Sequence, residues 1–81
     1  MSEKQINNTS LKPAEIAKQN NWQVGDVISG TEALRVPIVF EITAIGTQLV
    51  LGVQLKNKVK QEQEIRIPLN DPFIMWSKQN G

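Results

Sequence analysis

With no histidine and no cysteine in the sequence, carboxylates are the side chains left for acid–base chemistry. These two absences remove the usual nucleophile–base pairs and most zinc, copper and haem sites. Glu62 and Glu64 lie two residues apart. On a strand their carboxylates would share one face at roughly 6–7 Å, a separation that an acid–base pair could use. Their neighbours are polar, however, and a perturbed carboxylate needs burial. We therefore interpret them as a solvated strand face and predict no catalytic residue, no metal site and no cofactor.

Glu41 is a carboxylate of a different kind, because it lies inside a long alternating apolar run, Pro37 to Lys56. The strand pairing expected for this run places Glu41 opposite Gly52, where the missing side chain would leave an opening. Glu41 could there serve as a recognition group for a partner. The alternative is an outward strand residue in water.

Three lysines, Lys56, Lys58 and Lys60, alternate along the sequence, and Arg66 follows them. On a strand the lysines would share one face and could bind phosphate groups. Two glutamates between Lys60 and Arg66 would cancel much of the positive potential of these four residues, and the whole chain has a net charge of only +1. Nucleic-acid binding through these four residues is therefore the alternative hypothesis rather than the first one.

The aromatic residues are two tryptophans and two phenylalanines, with no tyrosine, which is too few for a surface that stacks nucleic-acid bases. We expect Phe40 and Phe73 to lie in the core. Trp22 and Trp76 stand near the two ends of the domain, which a barrel would bring together. Because tryptophan is enriched at binding hot spots, the pair could form a partner-binding patch. The alternative is a packed lid beneath the N-terminal helix.

The residues before Trp76 give further support to a contact site near the C-terminus. Ile74 and Met75 are adjacent, so their side chains cannot both face the core of a strand, and one of them should be apolar and exposed. The predicted partner-binding residues are accordingly Trp22, Glu41, Ile74 and Trp76.

The element that must position these residues is a hairpin over Pro37–Lys56, whose apolar residues recur with period two. Gly46-Thr47 suits a two-residue type II′ turn. That turn would fix the register, since a slip by one residue would expose the apolar face. A second turn should follow near Asn57, and without glycine it should be longer than a tight primed turn. The facing pairs directed into the core would be Ala44 with Leu49, Ile42 with Leu51, Phe40 with Val53 and Ile38 with Leu55.

The flanking segments predict one short helix and about five short strands in a single domain, residues 11–77. Residues 1–10 lack periodicity and should be a disordered tail. Ser10 is a candidate cap for a helix over residues 11–20, which Asn20-Asn21 should end. The remaining expected features are a turn or bulge at Gly25, a first strand at 26–29, a fourth strand that ends at Pro68 or lies at an edge, a turn at 70–72, a last strand at 73–77 and a tail at 78–81.

From Trp22 the segment W-Q-V-G-D-V-I resembles the opening of many SH3-like barrels, in which a V-G-D-x-I step leads into the first strand. The order of elements that follows is similar as well. This resemblance implies an all-β fold, a small SH3-like five-stranded antiparallel barrel with a short N-terminal α-helix. Closure of the sheet would leave no exposed edges.

A narrower pattern combines W-x-V-G-D from Trp22, I-T-A-I-G over Ile42–Gly46 and V-L at Val50. It resembles small uncharacterised proteins encoded by bacteriophages and prophages. That resemblance implies a mobile-element context and brings no known activity and no functional residue.

The favoured function is a non-enzymatic binding module that acts through contact with a host or phage protein. The sequence has no secretory signal and no membrane span, so we expect a cytoplasmic location and no membrane partner. A core built on about a dozen large apolar residues leaves a small stability margin, which a homodimer would increase.

Overall fold

The computed structural model describes residues 11–32 and 36–79, which form one short helix and five strands. The strands form one antiparallel sheet, so the all-β class with its helix is confirmed. In chain order the elements are α1 (Pro13–Gln19), β1 (Val27–Thr31), β2 (Ile38–Ile45), β3 (Val50–Lys56), β4 (Val59–Arg66) and β5 (Met75–Lys78). Their order in the sheet is β4-β3-β2-β1-β5. The sheet is open rather than closed into a barrel, because its edges β4 and β5 do not pair in the part of the chain that the structure describes.

Helix α1 is shorter at both ends than the predicted span of residues 11–20. Pro13 lies in its first turn, where the missing N–H of proline has no intrahelical partner to lose. The preceding residue, Lys12, donates its backbone N–H to the Glu15 carboxylate over 2.8 Å, which satisfies one of the free groups at this end. The predicted cap, Ser10, lies outside the described residues.

The helix ends at the predicted stop. Asn21 takes the left-handed conformation with φ of 61°. The N–H of Trp22 donates to the Ala17 carbonyl over 2.9 Å, and the N–H of Asn21 donates to the Lys18 carbonyl over 3.1 Å. These two bonds form a Schellman motif, which is usually accompanied by an apolar contact across the helix end. Trp22 and Ala17 are both buried there.

Gly25 lies in the turn that leads into β1, as predicted. Its φ of +97°, at the third position of the turn Gln23–Asp26, is typical of a type II turn and favours glycine. The N–H of Asp26 donates to the Gln23 carbonyl over 3.0 Å, and the Asp26 carboxylate accepts the Gln23 N–H over 2.9 Å. Ile42 then bonds Gly25 and Asp26 through its backbone at 2.8 and 2.9 Å, so the turn is attached to β2.

The β2–β3 hairpin forms as predicted, but the predicted turn and register are wrong. Gly46 has no positive φ, and a four-residue loop from Gly46 to Leu49 replaces the two-residue turn. A hydrogen bond of 2.9 Å from the Gly46 N–H to the Leu49 carbonyl closes the loop. A further register shift at Thr43 has the form of a β-bulge. The observed pairs are Ile45 with Val50, Ala44 with Leu51, Ile42 with Gly52, Glu41 with Val53, Phe40 with Gln54 and Val39 with Leu55.

The observed register turns the other face of β3 towards the core. Phe40 and Ile42 are buried as predicted, but their partners on β3 are Gln54 and Gly52. The fully buried Val50 lies on the same face of β3 as Gly52. The prediction that the alternate β3 residues face the core is wrong, because the longer loop moves the pairing by two positions and the bulge at Thr43 leaves a net shift of one, which exchanges the two faces of β3. The residues turned away are Leu49, which is 42% exposed, and the half-buried Leu51, Val53 and Leu55.

The β3–β4 turn is tighter than predicted. Asn57 and Lys58 have φ of 53° and 68°, the pattern of a two-residue type I′ turn, and Lys56 pairs with Val59 across it. Asparagine tolerates the left-handed region, which lysine enters at a steric cost. The absence of glycine therefore did not exclude a primed turn.

The residues after β4 close the core. The strand ends at Arg66 and β4 is an edge strand, as expected from Pro68 and its missing N–H. Ile67 and Leu69 then lie over the sheet, and each is 1% exposed. With α1 and Trp22 they form the second layer, which covers one face of the sheet only.

The C-terminal segment differs from the prediction in two places. The turn at residues 70–72 is confirmed, with the Asp71 N–H donating to the Pro68 carbonyl over 3.1 Å. Strand β5 runs to Lys78, one residue into the predicted tail. Phe73 was predicted to lie in the core and is 77% exposed, because it belongs to a turn and not to the inward side of a strand.

Candidate functional site

A groove between α1 and the residues before β5 brings Trp22 and Trp76 together. We call it the α1–β5 groove, and its volume is about 360 Å³. Three of the four predicted partner-binding residues, Trp22, Ile74 and Trp76, line it. Among the residues that the structure describes, no charged side chain lines the groove. Its lining residues are Ile16, Gln19, Asn20, Trp22, Leu69, Pro72, Ile74, Met75 and Trp76.

The helix wall of the groove is attached to the sheet at its start. The backbone N–H of Ala14 donates to the Gln48 carbonyl in the β2–β3 loop over 3.1 Å. Ala14 and Ala17 are fully buried and Ile16 is 6% exposed, so a short helix that would be marginal alone is stabilised by docking.

Trp22 forms part of the floor of the groove. It is 7% exposed and belongs to the core cluster. The Schellman ending of α1 places it directly after the helix, so its indole packs under the helix, as in the packed-lid alternative. Trp22 therefore supports the groove more than it presents a free surface.

Trp76 is the more accessible of the two tryptophans. It pairs with Gly30 of β1 and packs against Phe40 with ring centroids 6.1 Å apart and an interplanar angle of 50°. Its indole Nε1 donates to the Pro68 carbonyl over 3.2 Å. These contacts hold the half-buried ring in one orientation beside the groove.

The rim of the groove carries two exposed apolar side chains that alternate with buried ones. Phe73 and Met75 are 77% and 79% exposed, whereas Ile74 between them is 8% exposed. The prediction that one of Ile74 and Met75 is exposed is confirmed. Phe73 was missed as a surface residue. The turn residues Asp71 and Pro72 were the available signal, because turns lie at the surface, and the Phe73 N–H bonds the Asp71 carboxylate over 2.9 Å.

Glu41 lies on the opposite face of the sheet from the groove. Its partner across β3 is Val53 and not Gly52, so the predicted opening beside it does not exist. The Glu41 carboxylate forms an ion pair of 3.0 Å with the Lys60 amine. The structure therefore does not bring Glu41 together with the other three predicted residues.

The three lysines do not share one face. The side chains of Lys56 and Lys60 point to opposite faces of the β3–β4 hairpin. Lys60 pairs with Leu55, and Lys56, the next residue on β3, faces the other way. Lys58 lies in the turn between them. The predicted single-face array is wrong because a tight turn, and not an extended strand, spans these positions.

A depression of about 640 Å³ at the β4 edge includes Lys56 and Lys60 together with Glu62, so both charge signs meet there. Arg66 pairs with Leu51 further along β4. The placement of these basic residues gives no specific support to nucleic-acid binding, which stays a prediction.

Comparison with protein families gives one match, a family described as a domain of unknown function, whose model covers residues 11–67. The chain belongs to the DUF7241 family. The DUF7241 match runs from the start of the helix wall to Ile67 and ends before Phe73 and Trp76. No curated protein and no solved structure matches the chain significantly. The helix found in the described DUF7241 residues is too short to cross a membrane.

Proposed function

We propose that this DUF7241 protein is a non-enzymatic binding module that contacts another protein through the α1–β5 groove and its rim. The observation that carries the proposal is the exposure of Phe73 and Met75 beside a groove that holds two tryptophans. Large exposed apolar side chains grouped on a small domain mark interaction surfaces. Aromatic residues contribute much of the binding free energy at such surfaces.

The lining of the groove indicates the chemistry of the partner. A charged group that entered the groove would lose its hydration without meeting an opposite charge, because the described residues that line it are all uncharged. Gln19 and Asn20 add side-chain amides on the helix side, which suit a peptide backbone. The occupant we expect is an uncharged segment of another protein that carries large apolar side chains.

The fold relationship and the biological context belong to the same proposal. An SH3-like relationship is supported by the type II turn at Gly25 before β1 and by the strand order in which β5 returns beside β1. A phage or prophage context rests on the resemblance of W-x-V-G-D and I-T-A-I-G, and a cytoplasmic location is proposed with it.

The test is an affinity selection of randomised displayed peptides on the immobilised protein. Wild type is compared with the double variant Phe73→Ser/Met75→Ser, whose altered side chains are exposed and should leave the fold intact. Val59→Ser is the matched control, because Val59 is 62% exposed and lies on the distant hairpin.

We expect wild type and the control to select apolar, uncharged peptides and the double variant to lose them. Equal selection of peptides by the wild type and the double variant would show that the groove and its rim do not bind them. Thermal unfolding of all three proteins checks that the fold is kept.

A further inference from the structure

The face of the sheet opposite the core carries a row of apolar side chains. We call it the outer face. Its five apolar members are half-buried, and none belongs to the core cluster. They are Val27 on β1, Val39 on β2 and Leu51, Val53 and Leu55 on β3.

The pairing places these side chains next to one another. Val27 lies beside Glu41, and Glu41 beside Val53. Val39 lies beside Leu55 in the next row. Because alternate residues of a strand face opposite sides, the core-facing Phe40 and Ile42 confirm that their neighbours point away from the core.

No second layer covers the outer face within residues 11–32 and 36–79. The helix α1 and the buried residues Ile67 and Leu69 belong to the cluster on the other face. An antiparallel sheet often has one solvated face, but that face is then polar. The outer face instead alternates apolar side chains with a few charges.

The charges on this face balance. Glu41 pairs with Lys60 at 3.0 Å, and the Thr43 hydroxyl donates to the Glu64 carboxylate. Arg66 lies beside Leu51 at the next position along β4. Lys60, Glu64 and Arg66 thus lie on β4 at one edge of the apolar row, whereas Glu41 lies within the row.

We infer that the outer face is the interface between two copies of this chain. In a two-fold dimer the same patch meets itself, so it has to be self-complementary. A face of single sign would repel its copy, whereas neighbouring Glu64 and Arg66 allow each copy to present the opposite charge. The apolar row supplies the apolar surface that is buried when the dimer forms.

The whole outer face, and not the apolar row alone, is needed to supply the area of a small interface. Five strands at a spacing of about 4.8 Å and about 3.3 Å per residue give a planar area of roughly 500 Å². The water-accessible area of a pleated face is larger, and a stable interface buries about 800 Å² per partner. Most of the outer face would therefore be covered. A domain of this size buries only about 60% of its unfolded surface by itself, so a second copy adds stability.

The test is sedimentation equilibrium of the full chain over micromolar to millimolar concentrations. We expect wild type to show twice the chain mass at the upper end. Val53→Lys introduces a charge into the apolar row and should raise the dimer dissociation constant by roughly tenfold or more. Val59→Lys is the control, because it makes the same substitution on the side of β4 opposite to Lys60, and it should leave the dissociation constant unchanged.

A wild-type chain that stays monomeric throughout would overturn the inference without any variant. So would a Val53→Lys protein that dimerises as wild type does, or a Val59→Lys protein that dissociates. Because the two surfaces lie on opposite faces, failure of the dimer leaves the proposed binding groove intact, and failure of the groove leaves the dimer intact.

Discussion

Gly30 lies directly beneath the indole ring of Trp76. A Cβ atom at position 30 would stand 2.8 Å from both Cε3 and Cη2 of that ring, and 2.7 Å from Cγ2 of Ile74. The groove thus depends on a strand residue that has no side chain, because only then can the ring settle against β1 and meet Phe40.

Gly30→Ala should lower the free energy of unfolding by about 1–3 kcal/mol, since the added methyl group overpacks the site under Trp76. The free energy of unfolding is measured by denaturant titration, with tryptophan fluorescence as the signal. Gly46→Ala is the matched control: its nearest neighbour is the Leu49 carbonyl oxygen at 3.6 Å, so its effect should stay within about 0.5 kcal/mol. Equal effects of the two changes would contradict this view of the groove.

Gly52→Ala should destabilise the protein through a different contact. A Cβ atom at position 52 would lie 2.6 Å from Cδ1 of Ile67 and 2.6 Å from the Glu41 carbonyl oxygen. Ile67→Val removes Cδ1 and by itself should reduce stability by about 0.5–1.5 kcal/mol.

Because the valine gives the new methyl group more room, the Gly52→Ala/Ile67→Val protein should be more stable than the sum of the single effects predicts, by about 0.5 kcal/mol or more. The double-mutant cycle is measured by equilibrium unfolding. If the two changes in the free energy of unfolding were strictly additive, the Ile67 side chain would not pack against Gly52.

Lys58→Gly should stabilise the protein by about 1 kcal/mol, because Lys58 has φ of 68° in a type I′ turn and glycine takes this conformation without a Cβ clash. Lys58→Ala keeps the Cβ atom and removes the charge, so it should leave the midpoint of thermal unfolding close to that of wild type. If alanine stabilised as much as glycine, the gain would come from the charge and not from the backbone.

The hairpin shows how far the sequence predicts the fold. Two strands over residues 38–56, the helix stop at Asn20-Asn21 and the turn at Gly25 follow from local signals, because caps and turns depend on nearby residues. The register does not follow. Both sides of β3 carry apolar residues, so the period-two pattern cannot choose between the side of Val50 and the side of Val53, and the loop length together with the bulge at Thr43 decides.

The site was predictable to a similar degree. Trp22 and Trp76 come together because the first and last elements of a meander meet when β5 pairs with β1. The sequence groups Glu41 with them only because the predicted register places it beside Gly52, and the observed partner is Val53. The role of Gly52, which admits Ile67 to the core, depends on a contact between distant segments that no local pattern contains.

Nucleic-acid binding should be weak, because the basic residues are divided between two sides of a hairpin and Lys60 is paired with Glu41. A titration of single-stranded DNA or RNA followed by fluorescence anisotropy should show no strong salt dependence. Affinity that falls steeply between low and physiological salt, with a slope of several units in log K against log salt, would contradict this expectation and restore the basic hairpin as the functional surface.

The most direct test of the binding groove is a calorimetric titration of the strongest selected peptide into wild type, Phe73→Ser/Met75→Ser and Val59→Ser. Loss of two apolar contacts that the peptide would bury should weaken binding by roughly tenfold or more, so we expect a large loss for the double variant and wild-type affinity for the control. Unchanged affinity of the double variant, or an equal loss in Val59→Ser, would contradict it.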